Sequence, residues 1–269
     1  MDKVYLLIPH MEVSQANATP AWWLVAAPGP MPAVGFAHNL GRKLGVKEHG
    51  TCLVHHTEQM LMEDTLGSVY APQQHRAAMY SMTSVMGAGD YSSRNKYALA
   101  SQPVIKCNVE ISLIIAFSAE DPINPATIER FMESARYGGG LVRTHGKIKL
   151  FRSLEECQAH VKSGFVVKER SDLLFEKMQE GQTQLDALLE LTRADNRAAN
   201  PWLIPANLGY ALVTPPELKI GGRDDYAHAY GEPLIGLTQY VSARDGLVFW
   251  QYQNPEPTIF VVSTIQKEI

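Results

Sequence analysis

Fifteen consecutive residues, VIKCNVEISLIIAFS from Val104 to Ser118, constrain this chain more than any other run. The run is rich in β-branched side chains and reads as a long β-strand. A second strand is expected over residues 3–13, where the apolar run Val4 to Ile8 gives way to the polar patch Gln15, Ala16 and Asn17. After the breaker series APGPMPAVGF, Pro32 to Gly45 reads as a helix. Val34, Ala37, Leu40 and Leu44 share one face, Pro32 suits its first turn and Gly45 its stop. Arg42 and Lys43 fall in its last turn, where cations favour the helix dipole. GTCLVHHTEQ is a short strand, and NPATIERFMESARYGGG a helix with a Pro start and a Gly stop. Ile128, Phe131, Met132 and Ala135 would form its buried stripe, and LVRTHGKIKLF follows as one strand.

The order up to about residue 152 is therefore β-α-β-β-α-β. That order predicts an α+β, ferredoxin-like fold with two helices on one face of an antiparallel sheet. Its other face is expected to be free for a ligand or partner. Residues 153–269 read as a β-rich C-terminal extension packed on that core. In it TQLDALLELTRA is a helix, and NPWLIPANLGYALVTPPEL and GLVFWQYQ are strands among loops. The segment from Met60 to Gln102 is too long for an ordinary loop, and reads as functional, mobile or a hairpin extension.

A formal net charge of -4 argues against nucleic-acid binding by overall charge, while leaving room for a local basic face. Three scattered cysteines without a CxxC suggest reduced thiols in a cytoplasmic protein, not a disulfide framework. The start MDKVYLLIPHMEV reads neither as a secretory signal nor as a membrane span.

Nine histidines invite a metal reading, but His55 and His56 point to opposite faces of one strand, and no HExxH is present. No metal site and no cofactor is expected. GxSxG, Walker A and GxGxxG motifs are absent as well. His38 is a candidate general base, or a surface histidine. The stretch ARYGGGLVRTHGKIKLFR places Arg136, Arg143, Lys147, Lys149 and Arg152 around Gly138, Gly139 and Gly140. It reads equally as a phosphate-contacting cluster, with Arg143 and Lys147 on one strand face, or as a glycine cap followed by a solvated strand.

Several pieces, in order, carry a resemblance: LLIPHMEVSQANA with FAHNLGRKLG, VEISLIIAF, ARYGGGLV, GFVVKERSDLL, LDALLELTR, WLIPANLGYALVTP and LVFWQYQNPEP. In these the chain resembles the Csy-two family, the Cas-five-type subunits of the type I-F CRISPR surveillance complex (Cascade). It departs from the family pattern at Met60 to Gln102 and in a shorter second half, as a compact or divergent variant would. The resemblance implies a modified RNA-recognition (RRM/RAMP-type) fold with a thumb-like insertion, at about 60–102. It implies a non-catalytic subunit that binds the 5′ handle of the crRNA and caps a filament of Cas-seven-type backbone subunits. That subunit would pair with a large Cas-eight-type subunit to recognise target double-stranded DNA in antiviral defence, without membrane contact. The expected RNA contacts are Gln15, Ala16, Asn17, His38, Arg42, Lys43, Arg136, Gly138, Gly139, Gly140, Arg143 and Lys147, with Arg76, Arg94 and Lys96 on the thumb. Gln15, Ala16 and Asn17 are expected close to the helix carrying His38, Arg42 and Lys43. The alternative is a metal-independent endoribonuclease processing precursor crRNA, with His38, Tyr137 and His145 as acid–base candidates.

Overall fold

Two long apolar strands lie side by side at the centre of the computed structural model, which describes residues 3–21, 23–65, 69–72, 74–76, 103–120, 122–218 and 226–265. Strand β1 (Lys3–Asn17) pairs antiparallel with β6 (Pro103–Ser118), from Lys3 opposite Ser118 to Asn17 opposite Lys106. On the far side of β6 lies β2 (Glu48–Met60). On the outer edge of β1 lie β8 (Gly140–Thr144) and β9 (Lys149–Phe151). Helices α1 (Pro30–Leu44) and α2 (Pro125–Met132) cover one face of these strands. Leu6, Ile8, Leu53, Ile111 and Leu113 of the sheet meet Val34, Ala37, Leu40, Ile128 and Met132 of the helices there. Truncating one such side chain, Leu40→Ala for example, costs about 2–5 kcal/mol. Helix α1 starts two residues earlier than the pattern suggests and stops at Gly45, whose φ of 71° lets its N–H reach Gly41 O.

The sheet does not end at β2. Strands β13 (Phe249–Glu256), β14 (Ile259–Thr264), β11 (Leu203–Leu212), β12 (Gly231–Ser242) and β10 (Phe165–Glu169) follow in that spatial order. β10 then pairs with β2 again, at Phe165–His55 and Val166–Val54, so the pairings close into a ring. Trp250, fully buried, donates its indole N–H to Val167 O at 2.8 Å inside that ring. Helices α4 (Ser171–Gln179) and α5 (Gln184–Thr192) lie against β11 and β12 through Leu174, Leu188, Leu203 and Leu237. The architecture is mixed α/β, with a 12-stranded sheet, antiparallel throughout its pairings, and five α-helices among the described residues. None of those helices is long and apolar enough to cross a membrane.

Three expectations need correction. The second face of the sheet is not free: Tyr5, Leu7, Ile114 and Ala116 are buried under Cys157 of α3 (Leu154–Ala159), Ala243 and Phe249. The runs VYLLI and SLIIAF are apolar at consecutive positions, which requires cover on both faces. Second, α2 ends at Met132, and the three glycines are not its stop. Arg136–Tyr137 instead form a short strand, β7, which turns back onto β8. Third, LVRTHGKIKLF is two strands, because Gly146 leaves the ladder and donates its N–H to Pro9 O at 2.8 Å. Thr144 and Lys149 therefore flank a loop, and the face shared by Arg143 and Lys147 does not exist.

All three cysteines are buried and unpaired, and burial pushes each thiol up to about 12, so they are unreactive packing groups. In the 60–102 segment, β3 (Met62–Thr65) and β4 (Val69–Pro72) form a separate two-stranded ladder, and β5 (Gln74–Arg76) pairs with β6. Most of the remaining segment, with Arg94 and Lys96, lies outside the described residues, as does the Arg76 side chain.

Candidate nucleic-acid interface

Strand β1 is broken by two bulges, and both put a non-glycine residue at positive φ. His10 has φ 49° and Gln15 has φ 57°, at the register shifts after Ile8 and after Val13. The second bulge explains why polar residues end a buried strand. Gln15 is turned out to solvent, with its backbone N–H donated to Asn108 Oδ1 at 3.1 Å. Ala16 drops fully into the core. Asn17 folds its amide onto its own chain: Oδ1 accepts from Thr19 N at 3.3 Å and Thr19 Oγ1 at 2.7 Å, and Nδ2 donates to Thr19 O. Of the three, the Gln15 side chain is the one presented outward.

The glycine hairpin locks onto this bulge. Gly138 and Gly139, at φ 53° and 79°, are the two central residues of the β7–β8 turn, a geometry that L side chains resist. Gly138 O accepts from Asn17 N at 2.8 Å. A Cβ on Gly140 would stand 2.6 Å from Ala16 N and Ser14 O, so only glycine lets β8 lie this close to β1. Gly139, at the tip, has open space around it. Two exposed guanidiniums flank the turn: Arg136 Nη1 donates to Gly139 O at 3.4 Å, and Arg143 Nε to Ser14 Oγ at 2.9 Å. Gln15, Arg136, Gly139 and Arg143 thus form one solvent-facing patch, held by backbone contacts, with donors suited to phosphate oxygens and sugar hydroxyls.

The other expected residues lie elsewhere. Gly138 packs on Pro28 and the Tyr137 hydroxyl donates to Gly29 O at 3.4 Å, so the hairpin abuts the beginning of α1. Arg42 and Lys43 occupy the opposite end of that helix, about 18 Å further on at 1.5 Å per residue. The end of β1 therefore lies close to this helix, as expected, but at its start, with Arg42 and Lys43 at the other end. His38 is exposed and bonded through Nδ1 to Glu48 Oε1 at 2.6 Å. Lys147 sits on the loop over Pro9, next to His145, whose Nδ1 donates to Gly146 O at 2.9 Å. Arg152 lines a separate groove of about 680 Å³ with Lys3 and Ile123. Tyr137 is 1% exposed and burial raises its phenol well above the usual value.

One cluster escaped the sequence reading. On the solvent side of β1, β2 and β6, His10 and His56 stack at 4.4 Å between ring centroids. His56 Nε2 bonds Ser112 Oγ at 2.7 Å, and His10 Nδ1 meets Glu110 Oε1 at 2.6 Å. His55 points to the opposite face against Tyr240, as strand alternation requires. The available signal was Pro9-His10, which interrupts an otherwise continuous strand. Among the described residues no group of three or more His, Cys, Asp or Glu could hold a metal ion.

No curated protein matches this chain. The profile of the CRISPR-associated protein (Cas_Csy2) family, by contrast, matches residues 6–257, a span that includes both bulges of β1, the glycine hairpin and every strand of the ring except β14. The chain therefore belongs to the Cas_Csy2 family of CRISPR-associated proteins, a subunit of the hetero-oligomeric type I-F Cascade assembly.

Proposed function

We propose that this subunit holds RNA without cutting it, and that the patch at the end of β1 contacts the 5′ handle of the crRNA. The observation carrying this reading is the pairing of a backbone-locked glycine turn with two exposed arginines and an outward Gln15, in a protein that is acidic overall. Such a patch suits the backbone and 2′-hydroxyls of a single strand. An extended strand leaving it along α1 would pass His38 and reach Arg42 and Lys43. The sheet order β2-β6-β1-β8, with α1 and α2 on one face, supports a ferredoxin-like core. In this reading the subunit ends a Cas-seven-type backbone and joins a large Cas-eight-type subunit for recognition of target DNA. Arg76, Arg94 and Lys96 of the 60–102 segment serve as thumb contacts.

The endoribonuclease alternative loses support from Tyr137, whose phenol is enclosed in the core and cannot reach a phosphodiester. Co-expression with the neighbouring gene products and a repeat-bearing RNA, followed by RNA sequencing of the purified assembly, tests the proposal. Handle RNA retained intact in EDTA is expected. Specific cleavage of precursor RNA by the isolated subunit would overturn it.

A further inference from the structure

Where β10 returns to β2, three aromatic side chains gather around an open pocket of about 170 Å³. Phe165 is on β10, Tyr240 on β12 and Trp202 on the turn entering β11. Phe165 lies 6.5 Å from both Trp202 and Tyr240 between ring centroids, the planes tilted by 35° and 66°. Trp202 is 66% exposed, yet it is fixed: its backbone has φ 62° and its carbonyl accepts from Tyr240 N at 3.1 Å. Trp202, Phe165 and Tyr240 thus leave aromatic faces open to an incoming group.

The polar members decide what fits. Glu58 stands at the rim, with no ion-pair partner among the described residues. His55 lies beneath, 6% exposed and 5.3 Å from the Tyr240 ring. Burial lowers its imidazole to about 4, so it is neutral and adds no positive charge. No lysine or arginine lines the pocket among the described residues. Thr57 and His56, whose imidazole burial also lowers, complete the lining, so a cation meets aromatic faces and a carboxylate with no opposing formal charge.

We infer that Phe165, Trp202, Tyr240 and Glu58 form a cage for one basic side chain, arginine or lysine, of a protein partner. This rests on the subunit working inside an assembly, but not on where RNA binds. The cage and the Gln15 patch are built from different elements: the cage walls are ring strands, whereas that patch belongs to β1, β7 and β8.

Replacing Trp202 by p-benzoylphenylalanine in the co-expressed assembly, with irradiation, reports the occupant directly. The expected product is a crosslink to another protein, mapped to a peptide containing arginine or lysine. A crosslink to RNA or DNA would identify a nucleobase pocket and overturn the cage, as would no crosslink to any other subunit. As an independent arm, Glu58→Lys is expected to lower retention of that partner about tenfold at raised salt, with Glu58→Gln intermediate. Equal retention by both variants overturns the inference. RNA content measured in the same samples separates the two proposals: loss of RNA from the unmodified assembly strikes the handle reading alone.

Discussion

The end of β1 and the last turn of α1 both carry a pair of exposed cations, yet they are built in opposite ways. At the end of β1, Arg136 and Arg143 stand on a hairpin fitted to its neighbour within a fraction of an ångström. Gly140 lies against Ala16 and Ser14, and Gly138 is bonded to Asn17. On α1, Arg42 and Lys43 project from a helix whose inner face is filled by other residues. The difference teaches where position is encoded. In the first region backbone geometry fixes the charges, so glycines matter as much as arginines. In the second only the charges themselves can matter.

The largest expected effect tests that fit. Gly140→Ala forces β8 away from β1 and should cost about 3 kcal/mol in urea unfolding. A cost below about 0.5 kcal/mol would mean the hairpin is not locked onto β1. A region unlike either supplies a pH test of similar size. His55 is buried neutral, titrating at about 4 when folded against 6.5 when exposed. The unfolded chain gains a proton first as pH falls, so stability is full above 6.5 and is lost between 6.5 and 4, by up to about 3 kcal/mol. His56, also lowered chiefly by burial, adds in the same sense, while the raised carboxyl of Glu58 opposes it. Thermal unfolding across that range should show a slope that His55→Phe flattens.

Smaller effects separate the two central glycines of the turn. Gly138→Ala meets both a positive φ and Pro28, so about 2 kcal/mol is expected, against about 1 kcal/mol for Gly139→Ala, where φ alone resists. Smallest of all, Arg42→Ala with Lys43→Ala should change stability by less than about 0.5 kcal/mol. A larger loss would show that the helix end is also structurally committed.

The elements of the first half were legible because their signals are local. Pro and Gly bracket α1, and its stripe of Val34, Ala37 and Leu40 is buried as the spacing predicts. What escaped depends on partners distant in sequence. The ring requires β10 and β13 to share one edge of β2, and Phe165 opposite His55 is separated from it by more than a hundred residues. The glycine triplet reads as a helix stop because a cap and a two-residue turn use the same residue. Trp202 and Tyr240 are ordinary apolar residues until the sheet brings Phe165 and Glu58 beside them. Ala16 is an RNA contact in the family resemblance, whereas the bulge at Gln15 sends it into the core against Gly140.

The most direct test of the account compares salt dependence of RNA retention in two versions of the assembly, Arg136→Ala/Arg143→Ala and Arg42→Ala/Lys43→Ala. If the locked hairpin holds the handle through two phosphate contacts, the first version loses about 1.4 from the slope of log affinity against log salt. Its subunit should remain as stable as the parent, since both side chains are exposed. An unchanged slope and RNA content in the Arg136/Arg143 version, with a loss confined to the Arg42/Lys43 version, would contradict the account and move the RNA contact to the other end of α1.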